Sequence, residues 1–249
     1  MQLKFLTLNI LKGDLLNKVI DFLRKEDPDI VVLQEVYNGT DSFRARKYRS
    51  FSVIKQELGI PHGAFAPAFL DVTEGRNVDN GNAIFSKFPI RSSHVVFFDV
   101  PYGSYIDSPE NYAHCPRNLL RTILNVDSRE IDVINTHGIW GLDGKDSKRR
   151  LKMSQTIVKN VQDKELVILA GDFNLQPSTR TIGNIEKHLR NVFADELQTT
   201  FNMKRKTHPG YAAAAVDMIF VSRSLRILDH YCPRVDVSDH LPLVCILEV

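Results

Sequence analysis

Residues 166–177, LVILAGDFNLQP, form the stretch that decides how the rest of the chain is interpreted. It begins with five apolar residues, typical of a strand buried on both faces, and passes through Gly171 to Asp172 and Asn174. Ligands of open α/β sheets bind beyond the ends of strands, so this carboxylate and this amide are placed for metal or phosphate chemistry. Both residue types also favour turns, and the stretch taken alone fits a strand-to-loop turn equally well.

Length and composition indicate a soluble globular protein with one domain, residues 1–249. The chain has 249 residues, 43% of them hydrophobic, and a net charge of +2, which neither requires nor excludes a nucleic-acid partner. Cys115, Cys232 and Cys245 lack metal-type spacing, and we interpret them as reduced thiols of a cytoplasmic protein, with Cys245 in the core. The N-terminus lacks a secretion signal, and no apolar run approaches the ~18 residues that span a bilayer. We expect a monomer without a membrane span.

Apolar patterning in the first half of the chain predicts strands and helices in sequence. Residues 3–9 and 29–35 are predicted strands, and the amphipathic helix between them ends before Pro28, an order that suggests a right-handed crossover. Residues 81–86 and 90–100 are predicted to be consecutive strands. Because no helix separates them, we expect them to pair antiparallel.

The second half continues in the same way. A hairpin is predicted for residues 119–136, and a helix of residues 147–161 leads into the opening strand. Ser178 is the predicted N-cap of a helix that runs towards Leu189. The closing strands are residues 215–221, 225–231 and 241–249. The segment 101–116 carries turn residues without periodicity and is predicted to be a long loop, a feature that is often functional in compact domains.

Polar residues interrupt these apolar strands at or beside their ends. They are Asn9, Glu35, His137, Asp172, Asn174, Asp217, Asp239 and His240. Asp217 lies in an otherwise apolar strand, and since a buried carboxylate is unfavourable when unpaired, we expect it to have a fixed partner such as a histidine. Carboxylates suit hard cations such as Mg²⁺, while amides and neutral histidines bind phosphate oxygens without repelling them. The set indicates metal-assisted phosphoester hydrolysis, and the motifs of zinc sites, serine nucleophiles and phosphate-binding glycine loops are absent from the sequence.

Several motifs resemble, in order, those of the endonuclease/exonuclease/phosphatase superfamily, which has the deoxyribonuclease-I-like fold. They are LTLNI, VVLQEV, GNAIFSKFPI, INTHGIW, LAGDFNLQP, AVDMIFVS and VSDHLPLV, and they extend from Asn9 to His240. The resemblance implies an α/β fold, a four-layer α/β sandwich in which two mixed β-sheets pack face to face and are flanked by helices. It also implies a metal site at one edge of the sandwich.

The resemblance implies that this site takes Mg²⁺ or Mn²⁺, with Glu35 as the principal ligand, assisted by Asn9 and Asp239. This chain departs from related abasic-site endonucleases, which carry an acidic residue soon after the first asparagine. Leu11 and Lys12 occupy that region here. The departure weakens the interpretation as an abasic-site endonuclease and leaves more of the metal binding to Asn9 and Glu35.

The resemblance also implies catalytic roles. Asp172 would orient or deprotonate the attacking water, and Asn174 would hold that water or a phosphate oxygen. His240 would stabilise the charge that develops on the phosphorus, with Asp217 fixing the orientation of its ring. His137 would bind phosphate or assist departure of the leaving oxygen.

Four further residues have two interpretations each. Arg117 and Arg121 lie where relatives often place phosphate-binding side chains, but a surface salt bridge explains them equally well. Trp140 fits a stacking contact with substrate or, more simply, the filling of a loop core. Gln34 fits a role in the site or a hydrogen bond to the backbone of neighbouring loops.

The leading hypothesis from the sequence is a divalent-metal-dependent phosphodiesterase or nuclease that acts on DNA or RNA by in-line attack of water. Basic clusters at residues 44–49, 148–150 and 204–206 could follow a nucleic-acid backbone or could offset acidic patches. A sphingomyelinase-like enzyme or a phosphoinositide phosphatase is the alternative. A catalytically inactive binding protein, recruiting a partner through residues 101–116, is the alternative from another class.

Overall fold

The computed structural model describes residues 1–206 and 214–249, and within them the strands form two mixed sheets. The first sheet contains β1 (Gln2–Asn9), β2 (Ile30–Tyr37), β3 (His62–Asp71), β4 (Val78–Ser86), β6 (Ser104–Tyr105), β12 (Arg226–Tyr231) and β13 (Leu243–Glu248). The second contains β5 (Ile90–Phe97), β7 (Asn118–Val126), β8 (Arg129–His137), β9 (Val167–Asp172), β10 (Arg190–Asn191) and β11 (Asp217–Val221). The strand orders are β12-β13-β1-β2-β4-β3-β6 and β10-β11-β9-β8-β7-β5.

Helices cover the outer faces of both sheets. These helices are α1 (Leu16–Glu26) and α2 (Ser50–Glu57) on the first sheet, and α3 (Lys148–Val161) and α4 (Arg180–Glu186) on the second. A third apolar cluster fills the space between the sheets. Phe5 packs into that space while its neighbour Leu6 packs on the helical side, which is why the strands are apolar on both faces. The predicted four-layer α/β sandwich is confirmed.

Strand pairing brings the polar strand ends together. β1 and β2 are parallel, as the strand-helix-strand order predicted, and Asn9 lies beside Gln34. β8 and β9 are also parallel, so that His137 lies opposite Asp172. β11 runs antiparallel to β9 and places Asp217 opposite the same Asp172. The ends of these strands therefore meet at one edge of the molecule.

The expected antiparallel pairing of residues 81–86 with 90–100 is wrong. β4 pairs with β2 on one side and with β3 on the other, so both of its edges are already occupied. The short connection at residues 87–89 carries the chain into the second sheet, where β5 pairs with β7. The helix-free connection was correctly identified, but it joins two sheets instead of two neighbouring strands.

Other boundaries differ locally. The predicted N-cap Ser178 is wrong by one residue, because Thr179 accepts the capping hydrogen bond from the Ile182 N–H at 3.4 Å. Residues 119–136 form the predicted hairpin, and Cys245 is buried in the core as expected. Residues 101–116 contain β6 and a 3₁₀ helix at Pro109–His114. No helix in the described ranges has the length and apolar character needed to cross a membrane.

Candidate active site

A cavity of about 610 Å³ opens where the polar strand ends meet. Its lining includes eight of the ten residues predicted for the site: Asn9, Glu35, Arg117, His137, Asp172, Asn174, Asp239 and His240. Asp217 lies behind the lining, in contact with His240. Arg121 lies outside the cavity, and its guanidinium pairs with Asp132 at 2.5 Å. Of the two arginines considered as phosphate contacts, Arg117 is therefore the one that reaches the site.

Asn9 links the two carboxylates that come from opposite halves of the sequence. Its Nδ2 donates to Glu35 Oε1 at 3.3 Å and to Asp172 Oδ2 at 3.2 Å. The other oxygen of Asp172 accepts a hydrogen bond of 2.9 Å from the backbone N–H of Asn174. Since β1 and β9 belong to different sheets, this bridge fixes the site across the interface between the sheets.

His240 lies between two carboxylates. Its Nδ1 is 2.8 Å from Asp217 Oδ2, and its Nε2 is 3.8 Å from Asp172 Oδ2. Burial by itself would lower the pKa of His240, but the charges of Asp217 and Asp172 raise it to about 10. The ring is thus an imidazolium near neutral pH, and the expected histidine partner of Asp217 is confirmed.

His137, in contrast to His240, is neutral. Burial lowers its pKa well below the usual value, and the positive charge of Arg117 adds to this effect. An Arg117 guanidinium nitrogen lies 2.8 Å from His137 Nδ1. Because a guanidinium can only donate, Nδ1 accepts, and the proton of the neutral ring is on Nε2, which lies 3.4 Å from Asp172 Oδ2. The site therefore holds one charged and one neutral histidine.

The backbone is irregular at Glu35 and Asn174. Glu35 has φ 59°, a left-handed conformation that is unusual for a residue with a side chain, and the pairing of β2 with β4 shifts register between Leu33 and Val36. Asn174 has φ 55°. Such strained positions persist where the surrounding structure holds them, and they cluster at functional sites. Here the irregularity lies at two of the residues that line the cavity.

A sequence profile of the Endonuclease/Exonuclease/phosphatase family matches residues 6–240. The chain belongs to this family. The match confirms the resemblance of the strand-end motifs, and it covers all ten predicted site residues. No curated protein matches the chain in sequence.

Solved structures share the fold at low sequence identity. An endonuclease/exonuclease/phosphatase from Beutenbergia cavernae is 19% identical, with a TM-score of 0.78 over 100% of this chain and 72% of that chain. The mannosyl-6-phosphatase Bt3783 of Bacteroides thetaiotaomicron is 18% identical, with a TM-score of 0.72 over 99% of this chain and 100% of that chain. TDP2 of D. rerio in complex with a single strand DNA product is 16% identical, with a TM-score of 0.73 over 100% of this chain and 99% of that chain. These identities establish a shared fold.

Members of the Endonuclease/Exonuclease/phosphatase family generally depend on divalent metals, and the charges of this cavity fit one. Asp107 is paired with Lys12, and Asp239 with Lys206 at 3.1 Å. Glu35 forms no ion pair with any residue in the described ranges, and its carboxylate accepts a hydrogen bond from Asn9. Carboxylate and amide oxygens are the donors that Mg²⁺ and Mn²⁺ prefer. The donor set around Glu35 therefore suits a hard divalent cation.

A second group also has the spacing of a cation site. The donor atoms of Asp172, Asp217 and His240 lie within 4.8 Å of one another. In this group, however, the imidazolium already supplies the positive charge and is hydrogen-bonded to Asp217, and a protonated ring nitrogen has no lone pair for a metal. The donor set around Glu35 therefore fits a hard cation better than this group does.

Gln34, for which the sequence left two interpretations open, lies away from the cavity wall. Gln34 is fully buried, and its Nε2 donates to Thr7 Oγ1 at 3.2 Å and to Asn135 Oδ1 at 2.7 Å. Asn135 belongs to β8, so this pair joins the two sheets. Gln34 bonds to side chains instead of to the loop backbone that was considered.

Some residues that line the cavity were not predicted from the sequence. Lys12 and Lys206 line it as cations that neutralise Asp107 and Asp239. Lys12 appeared in the sequence only as a departure from the relatives, although a positive charge beside the first strand end was itself a signal. Tyr112 lies in the segment 101–116 that was predicted to be a functional loop.

Proposed function

We propose that the protein is a phosphoester hydrolase that uses Mg²⁺ or Mn²⁺, of the phosphodiesterase or nuclease type, and that it acts by in-line attack of a water activated by Asp172. The observation that carries the proposal is the set of groups around one carboxylate oxygen. Asp172 Oδ2 lies 3.2 Å from Asn9 Nδ2, 3.4 Å from His137 Nε2 and 3.8 Å from His240 Nε2. Amide, neutral imidazole and imidazolium thus surround a single base.

The electrostatics support the role of Asp172 as that base. Burial raises its pKa, the neighbouring Asp217 raises it further, and His240 acts in the opposite direction. A carboxylate with a raised pKa accepts a proton from water more readily than an exposed one. Asn174, whose backbone N–H holds the other carboxylate oxygen, has its side-chain amide beside Gly138 and orients the water or a phosphate oxygen.

The remaining groups stabilise charge on the phosphate. The imidazolium of His240 lies where negative charge increases during attack, and such preorganised charge is usually the largest contribution to catalysis. His137 and Arg117 donate to a phosphate oxygen or to the departing oxygen. A divalent cation held by Glu35, Asn9 and Asp239 would supply Lewis-acid stabilisation of the same phosphate.

A substrate survey tests this proposal. Purified protein is assayed with Mg²⁺ or Mn²⁺ on bis-p-nitrophenyl phosphate, single-stranded and abasic DNA, inositol phosphates and sphingomyelin. Hydrolysis of the diester and of DNA supports the phosphodiesterase assignment. Hydrolysis restricted to inositol phosphates or to sphingomyelin selects the alternative phosphatase or sphingomyelinase-like function. No turnover of any substrate, with the metal present, supports the inactive binding protein.

The proposed function includes binding to nucleic acid, and this binding can be measured separately from hydrolysis. Affinity for a DNA oligonucleotide is determined at increasing salt concentration. Phosphate contacts release counterions, so the logarithm of the affinity should fall linearly with the logarithm of the salt concentration. An affinity that does not change with salt contradicts a DNA-backbone contact.

A further inference from the structure

Two aromatic side chains form a corner on the wall of the active-site cavity. The rings of Tyr112 and Trp140 have centroids 5.3 Å apart and planes at 70°, an edge-to-face pair. Such a pair covers one ring face and leaves the other faces uncovered by the partner ring. Both side chains line the cavity, and neither is fully buried.

The corner adjoins the groups proposed to bind phosphate. Trp140 follows His137 by three residues, and Tyr112 precedes Arg117 by five. Those two residues lie 2.8 Å apart on the same cavity wall. An orthophosphate needs only a small part of a cavity of about 610 Å³, which is within the usual range for drug-sized ligands, ~300–1,000 Å³. The cavity, which Tyr112 and Trp140 also line, therefore has room for a further part of the substrate.

The segments that carry Tyr112 and Trp140 are each anchored by contacts within the protein. The Tyr112 segment is anchored by the ion pair of Asp107 with Lys12 and by a hydrogen bond of 2.7 Å from the Asp107 N–H to Thr73 Oγ1. On the other side, the buried Arg150 donates to the carbonyl oxygens of Ile139 at 3.0 Å and Gly141 at 3.4 Å, the two neighbours of Trp140. Ordered walls reduce the entropy lost on binding and favour a ligand of defined shape.

Filling of a loop core does not account for this corner. Tyr112 and Trp140 are each only half-buried, and Leu142, which also lines the cavity, is 79% exposed, so the pair is not enclosed as a core is. By contrast, Phe69 and Tyr105, which line the same cavity, are buried, and their ring centroids lie 4.7 Å apart. The first pair forms part of an open wall, whereas the second forms a core.

We propose that Trp140 and Tyr112 form a subsite for a planar aromatic ring that the substrate carries next to its phosphate. The substrates are then phosphoesters of nucleosides or of phenols, and esters of purely aliphatic alcohols bind weakly. Stacking on tryptophan is tolerant of ring type, so the nucleobase and the phenyl ring share this chemistry. The inference deepens the proposed function, on which it rests, by naming the part of the substrate that is recognised.

Trp140 is the single tryptophan of the chain, so its fluorescence reports on this corner alone. The full-length protein with Mg²⁺ is titrated with phenylphosphonate, an adenosine phosphonate and methylphosphonate, which resist hydrolysis because carbon replaces the ester oxygen. We expect saturable quenching by at least one ring-bearing compound and none by methylphosphonate at the same concentrations. Quenching by phenylphosphonate would indicate that the site accepts the ring of a phenol, and quenching by the adenosine compound would indicate that it accepts a nucleobase.

Substitutions of Tyr112 test whether its ring contributes to the binding of these phosphonates. Tyr112→Ala should weaken binding of the ring-bearing phosphonate by about tenfold or more, as removal of one stacking partner does elsewhere. Tyr112→Leu, which keeps the apolar volume, guards against misfolding and should give a similar loss. Tyr102→Ala is the matched control, since Tyr102 is 45% exposed and lies outside the cavity.

The outcomes separate this inference from the proposed function. If phenylphosphonate and the adenosine phosphonate bind no more tightly than methylphosphonate, or if Tyr112→Ala and Tyr112→Leu bind as well as the native protein, the aromatic subsite is refuted. Hydrolysis in the substrate survey is measured independently, so such a result leaves the hydrolase assignment standing. If the native protein binds the ring-bearing phosphonates but hydrolyses no substrate in the survey, the hydrolase assignment is overturned instead.

Discussion

Asp217 Oδ2 lies 2.8 Å from His240 Nδ1 and accepts a second hydrogen bond, of 2.6 Å, from Thr200 Oγ1. Asp217 is 3% exposed, so its charge acts on the imidazole without screening by solvent. Thr200 in turn accepts hydrogen bonds from the backbone N–H groups of Val216 and Asp217. The carboxylate is therefore fixed in position, and it fixes both the orientation and the charge of the ring.

Asp217→Asn tests this positioning role. The amide keeps the shape but removes the negative charge, so the imidazolium of His240 is no longer favoured. We expect kcat to fall by about 10²–10⁴ with little change in KM, by analogy with other carboxylate–histidine pairs. Thr200→Val is the control, because it removes the hydroxyl that donates to Asp217 and accepts from two backbone N–H groups, yet leaves the carboxylate charged. A native kcat in Asp217→Asn would contradict the role.

The backbone strain at Glu35 and the metal binding of its carboxylate can be tested with the same two substitutions. A left-handed φ is free for glycine and most unfavourable for a β-branched residue, so Glu35→Gly should have the higher free energy of unfolding, by about 1–2 kcal/mol, than Glu35→Val. Both variants should lose metal binding, since both lack the carboxylate. Urea unfolding measures the first effect and isothermal titration with Mn²⁺ the second. Equal stabilities would show that the backbone is not strained.

Gly171, which precedes Asp172, should tolerate no side chain. Its φ is 144°, and an added Cβ would lie 1.9 Å from the carbonyl oxygen of Thr136 on the paired strand. Gly171→Ala should lower the free energy of unfolding by about 3 kcal/mol or more. Gly183→Ala is the matched control in α4, where no atom lies within 4 Å of the added Cβ, and it should be stabilising by about 0.5–1 kcal/mol. A mild effect of Gly171→Ala would contradict the close approach.

The sequence predicted the layers and most strands because buried strands in a sandwich are apolar on both faces. It failed where the outcome depends on long-range pairing. The sheet that takes up β5 is decided by the occupied edges of β4, which local patterning cannot show. β3 was not predicted, because glycine, alanine and proline in His62–Asp71 dilute the strand pattern.

The site was predictable as a set of residue types but not as a geometry. Strand-end polar residues and the family motifs named the residues that line the cavity. The left-handed conformation of Glu35, the neutral state of His137 and the pairing of Lys12 with Asp107 depend on tertiary contacts. Arg121 shows the limit most clearly, since it lies within β7 only four residues after Arg117, yet its guanidinium pairs with Asp132 outside the cavity.

Asp71 gives a prediction for stability at low pH. Burial opposes its charge, but hydrogen bonds from Thr73, Tyr37 and Arg76 lower its pKa below the usual 3.8. A carboxyl whose folded pKa is lowered stabilises the protein above its unfolded pKa, and this contribution disappears as the pH falls through the folded pKa. The contribution should therefore be complete at neutral pH and decrease below about pH 4.

Asp71→Asn isolates that contribution. At neutral pH the variant should have a free energy of unfolding lower by about 1–3 kcal/mol, since Tyr37 and Arg76 lose a charged acceptor. The difference from the native protein should shrink as both are measured by urea unfolding at decreasing pH. A difference that stays constant down to about pH 2.5 would show that Asp71 titrates normally.

The most direct test of the account is the hydrolysis of bis-p-nitrophenyl phosphate by the native protein, Asp172→Asn and Asp132→Asn, each with Mg²⁺ or Mn²⁺ and again after EDTA. Asp132 is the matched control, because its carboxylate pairs with Arg121 away from the cavity. We expect metal-dependent turnover that is retained in Asp132→Asn and falls by about 10³-fold or more in Asp172→Asn. Turnover that survives EDTA, or that is undiminished in Asp172→Asn, would contradict the proposed chemistry.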